Sequence, residues 1–247
     1  MNKVKGLDNI ILALDQMTPA QINTFLKQTP DTFHTVKIGL ELFCGHGIEF
    51  IKKIHGDFGV NIFLDLKLHD IPNTVEKAIQ SLLGLPIHFL TIHMSGGEEM
   101  IKRSLIESFI SLPLCKILGV SFLTSLGEND FKDIFSIDLN SSSPYETLFK
   151  LGIKCKVPGI VLSAHELPQL TALEAQMNTE LIKICPGIRF KEEIESGHIQ
   201  DQKRALTPEM AMTLGANYLV IGRSLTTANR QLLEKRINTL QSLRNTP

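Results

Sequence analysis

Eight short apolar runs recur along the chain, separated by longer segments of helical periodicity. The runs are Ile10–Leu14, Thr35–Ile38, Ile62–Leu66, Phe89–Ile92, Ile117–Phe122, Ile160–Leu162, Leu181–Ile184 and Tyr218–Ile221. Near-continuous hydrophobicity over so few residues suits parallel strands covered on both faces. Thr18-Pro19, Ser143-Pro144 and Thr207-Pro208 each set a capping hydroxyl before a proline, a helix-opening signal. Asp70-Ile71-Pro72 precedes the third helical segment, and the last helix is expected over about Thr227–Leu243. Strand followed by helix, eight times over, predicts an α/β chain closed as a (β/α)8 TIM barrel. The length of 247 residues is close to the ~250 typical of that architecture. The alternative is a doubly wound open sheet, but no GxGxxG follows the first run and there is no Walker lysine loop. No linker, repeat or low-complexity tract divides the chain, so residues 1–247 are expected to form one catalytic domain. The charged segment Phe190–Ala205, with Gly197 in it, is long for a connection and suits a lid or binding loop.

Charge narrows the function classes. Twenty-five Lys and Arg face 26 Asp and Glu, with no run of five like charges, which argues against a nucleic-acid binder. The cysteines Cys44, Cys115, Cys155 and Cys185 are far apart, form no CxxC pair and read as free thiols. The apolar run near the N-terminus is too short for a signal core, and no stretch reaches the roughly 18 apolar residues of a membrane helix. The cytoplasm is the expected location, with no membrane partner.

In a barrel of this class the site lies at the carboxyl ends of the strands. Asp15 ends the first run, Lys37 lies late in the second, and the third runs into Asp65-Leu66-Lys67-Leu68-His69-Asp70. Asp65 and Lys67 are two apart and share one face of a strand. Charges there are costly unless paired, so Asp15, Lys37, Asp65, Lys67 and Asp70 are expected to form an alternating array that keeps its lysines protonated. Any one of them alone would read as a structural ion pair; five at successive strand ends point to a site. A second cluster is Arg189 with Gly222-Arg223-Ser224, after the seventh and eighth runs, where this architecture recurrently binds phosphate. His93, before Gly96-Gly97, fits a hydrogen-bonded structural residue and a site residue equally well, and His69 reads as structural. Asp65, Asp70 and His93 could supply metal ligands, but Lys67 in their midst can take the place of the cation, and no metal is expected.

These residues carry a pattern. Phe63-Leu64-Asp65-Leu66-Lys67-Leu68-His69-Asp70-Ile71-Pro72-Asn73-Thr74 closely resembles the Asp-x-Lys-x-x-Asp-Ile-x-x-Thr signature of bacterial orotidine 5'-phosphate decarboxylases. Ala13-Leu14-Asp15, Val36-Lys37-Ile38-Gly39, His93 with Gly96-Gly97, Leu123-Thr124-Ser125, Pro186-Gly187-Ile188-Arg189, Gln202 and Gly222-Arg223-Ser224 match in the same order. The resemblance spans Asp15 to Arg223. It departs at Cys185, where a Thr is expected, and at Phe122, where a polar or aliphatic residue often stands.

The resemblance implies a cofactor-free decarboxylation of orotidine 5'-phosphate to uridine 5'-phosphate, the last step of de novo pyrimidine nucleotide synthesis. Lys67 would protonate C6 after carbon dioxide leaves, with Asp65 beside the departing carboxylate. Asp15 and Lys37 would bind the ribose and orient the array. Asp70 and Ile71 would act in the partner subunit's site across a homodimer interface, with Thr74 in the same substrate-binding motif. Thr124 would lie near the base, Gln202 would bridge base and phosphate, and Arg189, Gly222 and Arg223 would hold the 5'-phosphate. Two rivals share the barrel. One is a magnesium-dependent sugar-phosphate decarboxylase or aldolase with the same Asp-x-Lys-x-x-Asp core. The other is a nucleotide-binding barrel without catalysis. The Ile71-Pro72-Asn73-Thr74 continuation and Gln202 favour the pyrimidine enzyme over the first, and the presence of Lys67 with its acidic neighbours disfavours the second.

Overall fold

A computed structural model describes residues 7–136, 143–196 and 205–243. The strands are β1 (Leu7–Ala13), β2 (Phe33–Gly39), β3 (Asn61–Leu68), β4 (Ile87–His93), β5 (Lys116–Val120), β6 (Gly159–Val161), β7 (Ile182–Cys185) and β8 (Tyr218–Ile221). Each pairs in parallel with its sequence neighbour, and β8 pairs with β1 through Ile10–Leu219, Ile11–Val220 and Leu12–Ile221. That last pairing closes the barrel and sets aside the open doubly wound sheet.

Strand alternation divides the core in two. Odd-numbered side chains of β1 and β3 point inward, so Ile11, Ala13 and Phe63 meet Phe89, Leu118, Val120, Val161, Ile184 and Val220 inside the barrel. Ile10, Leu12, Ile62, Leu64, Val36 and Ile38 point outward into the larger layer beneath the helices. Burial on both faces explains why the strands read as unbroken apolar runs. The interior face turns polar toward the carboxyl ends, where Lys37, Asp65 and Thr91 are buried.

Among the boundaries that differ from the sequence expectation, two have a clear local cause. Strand β5 stops at Val120, because Phe122 leaves the sheet and packs edge-on against Phe131, Phe135 and Tyr145 with ring centroids 4.8–5.5 Å away. The last helix is Arg230–Ser242 rather than one beginning at Thr227. Thr227 instead closes the short helix Arg223–Thr226 by donating to the Arg223 carbonyl (2.8 Å), and Asn229 takes the cap by accepting from the Leu232 amide. The Thr18 and Thr207 caps occur as expected, each accepting an amide hydrogen bond from three residues on.

Candidate active site

Strands β1, β2 and β3 deliver a linked row of charges to one mouth of the barrel. The Lys37 ammonium lies 2.6 Å from Asp15 Oδ2 and 3.3 Å from Asp65 Oδ2. Lys67 Nζ is 2.8 Å from both Asp65 oxygens. Asp65 thus stands between two ammonium groups, and Thr91 donates a further hydrogen bond to its Oδ1 (3.0 Å). Asp15, Lys37, Asp65 and Lys67 thus alternate in charge as expected from the sequence, whereas Asp70, the fifth expected member, lies exposed outside the array.

Electrostatics maintain that charge state. Burial is the largest influence on Lys37 and opposes its charge, but the fields and hydrogen bonds of Asp65 and Asp15 outweigh it, and its pKa is raised. Burial likewise presses Asp65 toward the neutral acid. Lys37, Lys67 and the Thr91 hydroxyl overcome that pressure and hold the carboxyl below its ordinary range. Asp65 is therefore a fixed anion and Lys37 a fixed cation, each solvated by the protein in place of water.

The backbone aims Lys67. Pairing between β3 and β4 slips between Leu64 and Leu68, and Lys67 sits in the slipped stretch with φ +48°. A side chain other than glycine in the left-handed region costs roughly 1–2 kcal/mol. The Lys67 amide is held there by the Thr91 hydroxyl at 2.8 Å, and its ammonium by Asp65. Strain retained at a reactive side chain, with neighbours that over-determine it, is the pattern of a functional site.

The array forms one wall of a cavity of about 380 Å³, within the range of small-ligand sites. Phe63, Val120, Val161 and Val220 make its apolar floor, and Arg189 and Arg223 stand on the β7 and β8 side. Asp15, Lys37, Asp65, Lys67, Thr124, Arg189, Gly222 and Arg223 all line this one cavity. A Cβ on Gly222 would come within 3.2 Å of Ala13 Cβ, so the residue keeps the β8 turn tight against β1.

Other expected site residues lie elsewhere. Asp70 and Ile71 are exposed on the turn after β3, outside the cavity of their own chain, with Asp70 Oδ1 accepting from the Ile71 amide (2.7 Å). Thr74 is exposed on the helix Pro72–Gln80. Gln202 falls outside the described residues. His93 is half-buried and its ring lies tilted by 39° against that of His69 with centroids 5.2 Å apart, so His69 has a partner that the sequence did not reveal. Burial, then the nearby His69 and Lys67, push the His93 pKa down to about 4. Neither histidine lines the cavity. Among the described residues no three His, Cys, Asp or Glu side chains converge as a metal-binding group.

The two departures from the family pattern separate. Cys185 is fully buried and faces the helices, away from the cavity. Phe122 lines the cavity and is held by its aromatic neighbours, so it does shape the pocket.

Sequence reasoning missed Thr91 and the purpose of Gly39. Thr91 is legible only through strand alternation, which puts it on the inward face between Phe89 and His93. A Cβ on Gly39 would lie 2.3 Å from Asp15 Oδ1 and 3.3 Å from Lys37 Nζ, so the missing side chain is the space the Asp15 carboxylate occupies.

Comparison with known proteins places these features. A model of the Orotidine 5'-phosphate decarboxylase / HUMPS family matches residues 8–234. The orotidine 5'-phosphate decarboxylase of Ehrlichia canis (strain Jake) is 40% identical over 217 residues, covering 88% of this chain and 90% of that protein. That of Ligilactobacillus salivarius (strain UCC118) is 34% identical over 236 residues, 94% of this chain and 96% of its own. The crystal structure of orotidine 5'-phosphate decarboxylase from Lactobacillus acidophilus aligns with a TM-score of 0.77 at 30% identity, over 97% of this chain and 100% of that one.

Proposed function

The chain belongs to the orotidine 5'-phosphate decarboxylase / HUMPS family, and from that premise we infer that it converts orotidine 5'-phosphate to uridine 5'-phosphate with Lys67 as the proton donor. The observation that carries the assignment of roles is the Lys67 ammonium, 2.8 Å from both oxygens of a buried, ionised Asp65.

The reaction breaks the bond between C6 and its carboxylate. The electron pair stays on C6 in an orbital lying in the ring plane, where the π system delocalises it poorly. A fixed ammonium facing that carbon stabilises the developing charge without reorganising at the moment of reaction. Carbon dioxide leaves, Lys67 transfers its proton to C6, and solvent restores the ammonium. Asp65 stands beside the departing carboxylate and, with Lys37 and Asp15, holds the Lys67 charge in place. Thr124 lies beside the base, and Asp15 and Lys37 contact the ribose. Arg189 and Arg223 hold the 5'-phosphate, with the Gly222 turn between strand and helix behind it. Binding energy from a group remote from C6 can then lower the barrier at C6.

Asp70 and Ile71 are assigned to the site of a second copy in a homodimer, with Thr74 following on the helix Pro72–Gln80. Their exposure outside their own cavity supports that reading, with Ile71 66% exposed despite its apolar side chain. Residues 1–247 are read as one catalytic domain. All four cysteines are free, which suits the cytoplasm, and among the described residues no helix is long and apolar enough to cross a membrane.

The test is ultraviolet absorbance of orotidine 5'-phosphate mixed with purified protein, with and without excess EDTA. Conversion to uridine 5'-phosphate, unchanged by EDTA, is the expected result. No conversion by folded protein would overturn the assignment, and conversion abolished by EDTA would move it to the magnesium-dependent branch.

A further inference from the structure

One buried guanidinium joins the two loops that carry the phosphate arginines. Arg236 is on the last helix, Arg230–Ser242, and its side chain is only 6% exposed. It does not line the cavity. Its Nη1 donates to the carbonyl of Ser224, the residue after Arg223. On the other side its Nε donates to Glu192 Oε1 (3.0 Å), its Nη2 lies 3.5 Å from Glu193 Oε1, and its guanidinium carbon sits 4.7 Å from the ring centroid of Phe190, the residue after Arg189. Glu193 in turn accepts the Phe190 amide at 2.9 Å.

Resting on the phosphate site read above, we propose that Arg236 is a positioning residue that fixes the spacing of Arg189 and Arg223 and so sets the enzyme's use of the 5'-phosphate. A buried charge is a poor way to gain stability alone, because its desolvation offsets much of the pairing energy. A planar fork is well suited to holding two separate backbones in register, and a lysine is not. The chemistry supports a geometric role: the Arg236 contacts fall on the residues directly following the two phosphate arginines and on the helix Lys191–Glu195 that continues from one of them.

The experiment compares orotidine 5'-phosphate with orotidine, which lacks the phosphate, for the enzyme and its Arg236→Met, Arg236→Lys and Arg223→Ala variants. Thermal unfolding and uridine 5'-phosphate affinity are measured alongside. Losing a charge-assisted hydrogen bond is worth a factor of about ten or more. Arg236→Met is expected to lower kcat/KM on the phosphorylated substrate by that factor and to weaken uridine 5'-phosphate binding, while turnover of orotidine falls much less. Arg236→Lys is expected to restore folding stability more than phosphate discrimination. Equal losses on the two substrates, or no loss, would overturn the proposal. If Arg236→Met does not fold, the double variant Glu192→Gln, Glu193→Gln removes one side of the clamp from a more exposed position. It should show the same preference loss, more weakly, and unchanged discrimination would overturn the proposal. Arg223→Ala separates the premises. If it spares discrimination, the phosphate site itself is misassigned and the role of Arg236 falls with it; if it abolishes discrimination while Arg236→Met does not, only the Arg236 role falls.

Discussion

Gly39→Ala adds one methyl group at the centre of the charged array and tests whether its spacing governs the rate. The backbone accepts the change, since Gly39 has φ −93° and ψ −175°, ordinary extended values. The methyl carbon would lie 2.3 Å from Asp15 Oδ1, whereas ordinary contact begins at 3.4 Å, so the carboxylate must retreat by the difference, 3.4 − 2.3 = about 1.1 Å. Asp15 has room to move, because 38% of its side chain is exposed. A retreat of that size cannot keep its Oδ2 at 2.6 Å from the Lys37 ammonium. One charge-assisted hydrogen bond is worth roughly 1.5–3 kcal/mol, and a misplacement of ~1 Å at a reacting centre costs on the order of 10²-fold. The expected result is a fall in kcat/KM of about 10- to 100-fold, with a small change in unfolding temperature because the displaced group reaches water. Kinetics by ultraviolet absorbance, with thermal unfolding as control, measure both. The clash requires Asp15, so in an Asp15→Ala background the same glycine substitution should cost almost nothing further. Full activity in Gly39→Ala, or additive losses in the double variant, would refute the reasoning.

Lys67→Ala should reduce kcat by at least about 10²–10⁴-fold, the usual contribution of a positioned general acid, while the protein still folds and binds uridine 5'-phosphate. Near-normal turnover would remove Lys67 from the proton-donor role. Mixing inactive Lys67→Ala and Asp70→Ala proteins should restore part of the activity once subunits exchange, because a hybrid dimer contains one intact shared site; no recovery in confirmed hybrids would put Asp70 in the service of its own chain. His93 gives a pH signature. Burial above all, then His69 and Lys67, hold its folded pKa at about 4, against an ordinary value of 6.5. Between those values the unfolded chain binds the extra proton, so the His93 contribution is complete above about pH 6.5 and is lost as pH falls toward 4. His93→Gln should flatten the fall in unfolding temperature over that interval, as followed by calorimetry, and an unchanged slope would count against this account.

Alternation of short apolar runs with helical segments specified parallel strands covered by helices, because a strand buried on both faces must be apolar throughout and each helix must cover its neighbours; the choice between barrel and open sheet was made by the β1–β8 pairing. The same alternation put Asp15, Lys37, Asp65 and Lys67 near strand ends, and the two-residue spacing of Asp65 and Lys67 placed them on one face. Closure is what brings Asp15, just after β1, beside Gly222 and Arg223, just after β8, since the β1–β8 pairing joins residues more than two hundred positions apart. Tertiary structure also decided what spacing does not encode. The left-handed turn of Lys67 depends on a slip in strand pairing and on Thr91 from the next strand. The space at Gly39 has meaning only once Asp15 arrives to fill it. Cys185 and Phe122 are both departures from the family pattern, and only the direction of each side chain separates them. Arg236 carries no signal in the sequence beyond its place in the last helix; its burial between Phe190 and Ser224 is a property of the folded chain, because its hydrogen-bond partners Ser224 and Glu192, 12 and 44 positions away, reach it only through the packing of the segments after β7 and β8 against that helix.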